Sequence, residues 1–597
     1  MSGEGLINSD QQEILKSVRN NKWVQRPYDR HFVESLRQQV SAPDVVLQLL
    51  SKSIKSPSDA KNYLDPKLKN LLPDPFSLKD MRLAVNTLIR AIDNKSKIVI
   101  FGDYDVDGAT SSAVLKKIFE SLRCDIGIYI PDRVKEGYGP NKEAINRLHE
   151  QGYRMMITVD CGSSSHEEIL LAKELNMNVV ILDHHKCSGD LPKADALVNP
   201  NREDDDTEYG YLAAVGVSFL FALALCSELK SRGLETKNVN LLELLDLVAL
   251  GTVCDVVPLV GLNRAFVKQG LKVMKSRSNI GLNALQDVAS VSGDITVYHL
   301  GFVIGPRINA GGRVGESSLG ADLLTSHNYE ESVSISTSLD MYNSERKSIE
   351  ASVLEEAKEQ ASNSSVNDPL ILVSGKGWHQ GVIGIVAGRL KEFYRKPTAV
   401  ISIGSGEGKA SCRSVEGIDF GAAVIDAKSR GLLEAGGGHA MAAGFSILES
   451  KIEEFREFLS SRFQEKYNSI RENAVSYYAS ILSVNSIKTS FIKGIESVGP
   501  FGSGNAQPKF MIKNVFIMYP KILKDSHISC LVVAGKNSYT KGGVRAIAFS
   551  VMQNAMGELL LSQKENMHLI VTLDINKWQD KENPQLIIQD VIMGDEQ

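Results

Sequence analysis

Four short apolar runs between residues 97 and 182 set the reading of this chain: Lys97–Phe101, Ile126–Ile130, Met155–Val159 and Val179–Leu182. Each has the length of a buried strand, and helical segments lie between them. One such segment carries Leu115, Ile118, Phe119 and Leu122 on a single face. Strands alternating with helices at this spacing predict a parallel sheet covered on both sides. Ligands of such sheets bind beyond the carboxyl ends of the strands. Here the runs lead straight into polar residues: Phe101 into GDYDVDG, Val159 into Asp160 and Leu182 into DHH. The pattern therefore gathers acids and histidines on one edge of the sheet.

The rest of the chain divides around this core. Residues 1–85 read as a mainly helical segment and 86–330 as the α/β domain. Within 331–365, Ile335, Leu339, Tyr342, Ile349 and Val353 keep helical spacing and predict a long connecting helix. A plain surface helix with one apolar stripe has the same pattern. A second, glycine-rich α/β unit is expected over 366–465. Within 476–597 the runs Ile528–Val533, Val544–Phe549 and Leu569–Leu573, separated by turn residues, predict a small barrel or sandwich. Tyr209 to Ser227 is uncharged and approaches the length of a membrane span. It follows an acidic loop, NREDDDTE, and contains Gly210 and Gly216, so it reads as a buried helix, and no membrane association is expected.

Composition narrows the class. A chain of 597 residues exceeds one ordinary core, so three or more domains are expected. With 43% hydrophobic and 23% charged residues it has ordinary globular composition. A net charge of −5 argues against a surface coated in basic patches. Nucleic acid remains open as a substrate, because a local basic channel and bound metal can neutralise phosphate. The seven cysteines are scattered and form no C-x-x-C pair, which suits free thiols in a reducing cytoplasm and gives no support for a thiolate zinc site. The first residues, MSGEGLINSDQQ, are polar and lack the pattern of a signal peptide.

Four clusters carry the candidate chemistry. Asp103, Asp105 and Asp107 alternate within GDYDVDG. Ionised carboxylates are costly to bury, and a bound cation compensates them. A surface turn with Asp107 near an N-cap position explains the same residues. Asp160 precedes CGSSS and, alone, reads equally as a helix cap. Asp183, His184 and His185 follow a buried strand, where two adjacent imidazoles are unusual as packing. Asp255 lies in LVALGTVCDVVPL, amid apolar residues with no local basic partner. Together these supply several oxygen ligands and one or two imidazoles, a donor set suited to Mn²⁺ or Mg²⁺. Two such ions could activate a water and clamp phosphoryl oxygens.

GDYDVDGATS, VDCGSSS, LDHH and GTVCDVVPL, in this order, resemble the four motifs of the DHH phosphoesterase family. RVKEGYGPN, GPRINAGGRVG, GWHQGVIGIVAGRL, SCRS, GGGHAMAAG and GPFGSGN resemble its RecJ branch. The likeness runs from about Leu50 through nearly the whole chain and is least distinct in the last hundred residues. GPRINAGGR and CDVV depart from the commoner APRINAAGR and ADVV by small-residue exchanges that remove no ligand and no charge.

The resemblance implies a parallel-sheet catalytic domain, a helical connector, a DHH-associated domain and an OB-fold around a groove for one strand. It makes Asp105, Asp107, Asp160, His184 and Asp255 metal ligands, with Asp160 bridging the two ions. His185 would contact the scissile phosphate or act in acid–base chemistry, with Asp103 in or near the shell. Which histidine takes metal stays open. Arg133, Ser411 and Arg413 match positions near the substrate's 5′ phosphate, where an arginine fork suits phosphate. Arg307, Asn309 and Arg313 match a segment beside the groove entrance. Gly436, Gly437, Gly438 and His439 match the GGGH of the associated domain, whose glycines let backbone N–H groups approach phosphate. Turns or interface packing explain those glycines as well.

The implied activity is 5′→3′ exonucleolytic release of mononucleotides from single-stranded DNA, in DNA repair and recombination. The implied partners are the strand itself and a single-strand-binding protein or a helicase, and the protein is expected to be a cytoplasmic monomer. Two alternatives stand beside this reading. One is a phosphodiesterase for short oligonucleotides or cyclic dinucleotides, whose relatives are usually smaller. The other is a strand-binding scaffold without catalysis, which should have lost the carboxylates retained here.

Overall fold

A computed structural model describes residues 13–594 apart from 134, 188, 235–239, 364–366, 536–541, 553, 563–566 and 580. The polar first twelve residues and part of the connector expected over 331–365 lie outside the described residues. The chain forms two compact units. One runs from Pro73 to Val257 and from Phe266 to Asn473; the other takes in the chain up to Leu72, Pro258–Ala265, and the chain from Ala474 onward.

In the first unit, five strands form a parallel sheet: β1 Ile98–Gly102, β2 Ile126–Tyr129, β3 Met155–Val159, β4 Asn178–Leu182 and β5 Ala196–Val198. Their order is β2-β1-β3-β4-β5, every neighbouring pair parallel. Three of the four apolar runs fill the sheet because both faces are covered; Ile126–Tyr129, expected to be buried as well, is an edge strand and only half-buried. Val99, Phe101, Met156, Val179 and Ile181 pack on one side against Ala144, Ile145, Leu148, Ile169 and Ala172 of the helices Lys142–Glu150 and His166–Glu174. Helix α1 (Val106–Ser121) follows β1, with Leu115, Ile118 and Phe119 buried. Leu122 becomes its C-cap and is only half-buried. Helix α2 (Ala214–Ser231) contains most of the long apolar stretch and is largely buried within the fold. Strand β5 has three residues, too few to read from periodicity.

Helix α3 (Leu245–Cys254) leads to Asp255, and α4 (Gly305–Val314) leads to the 34-residue helix α5 (Tyr329–Ser362). A second sheet follows, with β6 Ile371–Lys376, β7 Thr398–Gly404, β8 Glu407–Arg413, β9 Ala435–His439 and β10 Ala442–Leu448 in the order β9-β10-β8-β7-β6. Helix α6 (Gln380–Tyr394) packs against β7 and β8. Helices Phe420–Ser429 and Ile452–Asn473 supply Phe420, Phe455, Leu459 and Phe463 to the core.

In the second unit, Phe510–Leu523 pairs with both His527–Val533 and Met567–Trp578, closing a barrel that also includes Val544–Ala548 and Lys581–Met593. The segment expected to be helical over 1–85 also contains strands. Leu15–Lys16 pairs with Lys22–Gln25, which pairs in parallel with Val475–Tyr478. The 85/86 boundary falls inside the helix Met81–Asp93, whose continuous apolar face, including Met81, Ala84, Leu88 and Ile89, carries the helix across it.

Candidate active site

Three neighbouring strands deliver three carboxylates. Asp103 follows β1, Asp160 follows β3 and Asp183 follows β4, and their N–H groups donate to Val159, Leu182 and Val198 across the sheet edge. All three side chains are buried. Asp160 adopts φ +61°, a left-handed conformation unfavourable for a residue with a Cβ. That turn takes the chain off the strand at the point where the carboxylate enters the site.

Helix α1 adds two more acids. Asp105, not Asp107, is the N-cap: its carboxylate accepts from the Asp107 and Gly108 N–H groups. Asp107 lies inside the first turn, where its two oxygens accept from Ala214 (2.7 Å) and Val215 (2.9 Å) at the start of α2. The capping role expected near Asp107 therefore falls two residues earlier. Asp255 completes the acids from the end of α3.

The histidines separate by their partners. His184 Nδ1 lies 3.0 Å from the Leu212 carbonyl oxygen, which can only accept, so the proton sits on Nδ1. Its Nε2 lone pair then faces Asp160 Oδ1 at 3.3 Å, Asp255 Oδ2 at 3.5 Å and Asp107 Oδ2 at 3.9 Å. Burial, then His185, holds its pKa down to about 4, so this imidazole is neutral near pH 7. His185 places Nδ1 2.8 Å from Asp183 Oδ1. Burial works against its charged form, but the Asp183 bond and surrounding acids outweigh that and raise its pKa. Asp183 also accepts from the Ser163, His184 and His185 N–H groups. Burial would raise its pKa, yet the His185 bond and the two histidines bring it below the usual carboxylate range.

A lone pair facing three carboxylates is repulsive unless a cation stands between them. Asp103 Oδ1, Asp160 Oδ1, Asp255 Oδ2 and His184 Nε2 are all buried and without a hydrogen-bond partner among the described residues. Burial, followed by the neighbouring acids, raises the pKa values of Asp103, Asp160 and Asp255 well above the ordinary range and that of Asp107 to about 7. Three groups bring ligand atoms within 4.8 Å of one another: Asp103, Asp105 and Asp160; Asp107, His184 and Asp255; and Asp160 with both histidines. Asp160 is shared by two of them. Oxygen-rich donors with one neutral imidazole fit Mn²⁺ or Mg²⁺.

Beside this acidic nest lies a basic cavity of about 480 Å³. Arg133, Arg313, Lys409, Ser411 and Arg413 line it with Gln380 and Gly384, and none of the lining residues is acidic. Arg133 reaches back over the Tyr104 ring, 4.8 Å from its centroid, and so stands between cavity and nest. Arg413 donates to Ser411 Oγ at 3.3 Å. Burial lowers its pKa and nearby Arg133 adds to that. Burial and the same Arg133 lower Arg313 to about 10. A Cβ at Gly384 would stand 3.0 Å from Ser411 Oγ and 3.3 Å from an Arg413 nitrogen, so glycine keeps that wall open.

The remaining expected residues fall elsewhere. Arg307 is tied to Asp340 at 2.9 Å and to the Val303 carbonyl, outside the cavity lining. Asn309 is half-buried on α4, one turn before Arg313. Gly436, Gly437, Gly438 and His439 form edge strand β9 and are not among the lining residues. They are in register with the cavity floor: Gly437 pairs with Gly444, which pairs with Ser411.

Sequence reasoning did not assign Asp183, although it opens DHH, or Lys409, Gln380 and Gly384, which only the packing of α6 on β8 brings together. Tyr138 was missed too. Its hydroxyl donates to the Asp160 carbonyl oxygen at 3.0 Å and lies 3.2 Å from His185 Nδ1. Asn199 and Asn201 donate to the His185 and His184 carbonyls and fix that turn.

Buried acids and a neutral imidazole at the end of a parallel sheet, with a linked α/β unit bearing arginines, define a metal-dependent phosphoesterase. Family models agree: the DHH family N-terminal domain matches residues 97–252, the DHHA1 domain 367–465 and the RecJ OB domain 479–590. Curated relatives named single-stranded-DNA-specific exonuclease RecJ include those of Bacillus subtilis and Salmonella typhimurium. That of Bacillus subtilis is 31% identical over 583 residues, covering 96% of this chain and 71% of the relative. That of Salmonella typhimurium is 33% identical over 552 residues, covering 88% and 92%. The crystal structure of RecJ in complex with Mn²⁺ from Thermus thermophilus matches with a TM-score of 0.78 at 25% identity, covering 96% of this chain and 80% of that one. The chain belongs to the RecJ family.

Proposed function

We propose that this enzyme removes mononucleotides from the 5′ end of single-stranded DNA. The observation that carries the reading is the pairing of opposite unmet charges. Four buried donor atoms, three on the proposed ligands and one on Asp103, have no hydrogen-bond partner among the described residues and lie beside a cavity lined by three arginines and a lysine. A terminal phosphate in the cavity would bring the adjoining phosphodiester to the nest, so cleavage would proceed one nucleotide at a time from that end.

In this reading Asp105, Asp107, Asp160, His184 and Asp255 would hold two divalent ions, and Asp160, which belongs to two of the ligand groups, would serve both. Bound Mn²⁺ or Mg²⁺ supplies an activated water and neutralises phosphoryl charge. The chain's own groups do the rest. Asp183 orients His185 and sustains its charge, so that the imidazolium can face the scissile phosphate and donate a proton. Asp103 lies in the shell around the ions. Arg133, Arg413 and Ser411 grip the terminal phosphate, and Arg313 adds charge to the same cavity. Arg307 and Asn309 line the strand's path before α5, and the glycines of β9 extend the floor in register with Ser411. The enzyme acts as a cytoplasmic monomer in repair and recombination, taking strands exposed by a helicase or handed over by a single-strand-binding protein. A monomeric mass in sedimentation at working concentration is the expected result.

Degradation of one strand labelled at either end tests the reading. With Mn²⁺, the 5′ label should leave first as a mononucleotide, and a blunt duplex should resist. Initial loss of the 3′ label, or preference for dinucleotides over long strands, would overturn it. Asp160→Ala should abolish turnover while strand binding persists.

A further inference from the structure

The helical stretch before α4 leaves two aromatic rings in solvent. Tyr298 and Phe302 are 62% and 72% exposed, and their rings stack with centroids 5.4 Å apart and planes 25° from parallel. Their spacing of four residues along the helical stretch brings the two rings together, and the pair forms a doubled aromatic surface open to solvent where single exposed apolar side chains are the ordinary case. The pair is also held in place. Residues 300–304 form a π-type turn, which alters the helical spacing locally. His299 is engaged at Nδ1 by the Thr296 N–H and hydroxyl, which fixes the start of the stretch.

This turn packs against the end of α3, at the residue before Asp255. The Cys254 thiol, next in sequence to Asp255, donates to the Leu300 carbonyl oxygen at 3.4 Å. A Cβ at Gly305 would stand 2.4 Å from Cys254 Sγ, so glycine is required for this approach. On the other side of Asp255, Val256 is 69% exposed and holds φ +61°, a costly conformation for a β-branched residue. The helical stretch that carries the two rings is therefore anchored to the residue preceding Asp255, and the exposed Val256 follows Asp255 on the same segment.

We infer that Tyr298 and Phe302 form a stacking platform for an unpaired base of the substrate strand, positioning the strand next to the metal nest. The inference rests on the exonuclease reading above. A π-face suits any base, so such a platform gives affinity for unpaired strand without sequence preference. A base within a duplex has both faces covered by its neighbours and cannot use it. The two rings are positioning residues and take no part in the chemistry.

The test uses the full-length enzyme with Mn²⁺, on 5′-phosphorylated strands carrying a single abasic site moved stepwise from the 5′ end. Tyr298→Ala/Phe302→Ala should raise KM for an intact strand about tenfold, with the loss falling on KM rather than kcat. In the wild type, an abasic site at one register should produce a similar rise, and the double variant should not respond to that site. Phe302→Trp in the Tyr298→Ala background should recover part of the loss, and Phe302→Leu should not. An unchanged KM in the double variant, or full sensitivity of that variant to the abasic register, overturns the platform. If the wild type degrades no strand from its 5′ end, the exonuclease reading falls first, a result distinct from either.

Discussion

The acidic nest and the basic cavity stand side by side in one unit and solve opposite problems. In the nest, burial drives carboxylates toward protonation and leaves four buried side-chain atoms unpaired among the described residues. In the cavity, burial lowers the pKa values of Arg313 and Arg413, and no lining carboxylate relieves them. Each region is destabilising alone, because an uncompensated buried charge costs folding energy. The nest asks for cations and the cavity for an anion. A phosphodiester strand with its metal ions supplies both. Arg133, over the Tyr104 ring, is the residue that spans the two regions.

The sharpest way to break this comparison is to remove the acid that two of the ligand groups share. Asp160→Asn should lower kcat by about a thousandfold or more, since metal stabilisation of the transition state contributes several kcal/mol. The same change should raise the melting temperature of the metal-free protein by a few degrees, because an unpaired buried carboxylate disappears. Lower melting temperature with intact turnover would mean that Asp160 is a structural acid.

On the basic side, Arg413→Ala should raise KM for 5′-phosphorylated strands by about 10- to 100-fold, the scale of charge-assisted hydrogen bonds. Strands with a 5′-hydroxyl should be nearly unaffected. Equal loss on both would assign Arg413 to general strand binding. Between these regions in effect, Asp183→Asn should reduce turnover about 10- to 100-fold by releasing His185 from its orientation. A pH–rate profile separates this from misfolding: the limb due to His185 should move to lower pH.

Metal should also change the pH dependence of stability. Asp107 is raised to about 7 in the metal-free fold, against about 3.9 for an unfolded aspartate. The metal-free fold therefore holds an extra proton between those values and loses stability as pH rises through them. His184, held down to about 4, is already neutral above pH 5. The rise in melting temperature on adding Mn²⁺ should accordingly widen from about pH 5 to about pH 8. An equal rise at both would argue against carboxylate ligation. The smallest effect is expected from Gly384→Ala, a severalfold rise in KM from crowding Ser411 and Arg413.

Much of the nest was legible because three of the strands are buried runs that end abruptly in an acid. Periodicity gives the strand, and the sheet rule gives the edge on which Asp103, Asp160 and Asp183 meet. The cavity was less legible. Lys409, Ser411 and Arg413 share strand β8, but Gln380 joins them only through the packing of α6 on β8, and Arg133 comes from the loop after β2, neither of which a local pattern encodes. Arg307 shows the converse, since a motif residue can be held by a partner such as Asp340, 33 positions away. The separate duties of Asp183, His184 and His185 depend on which carbonyl or carboxylate faces each ring nitrogen, and that is set by tertiary contacts.

The most direct test of the central claim is anomalous diffraction from crystals of the full-length protein soaked in manganese. Two peaks are predicted among Asp105, Asp107, Asp160, His184 and Asp255, with Asp160 touching both. Carboxylates turned apart with no peak between them, or a single ion held elsewhere, would contradict it.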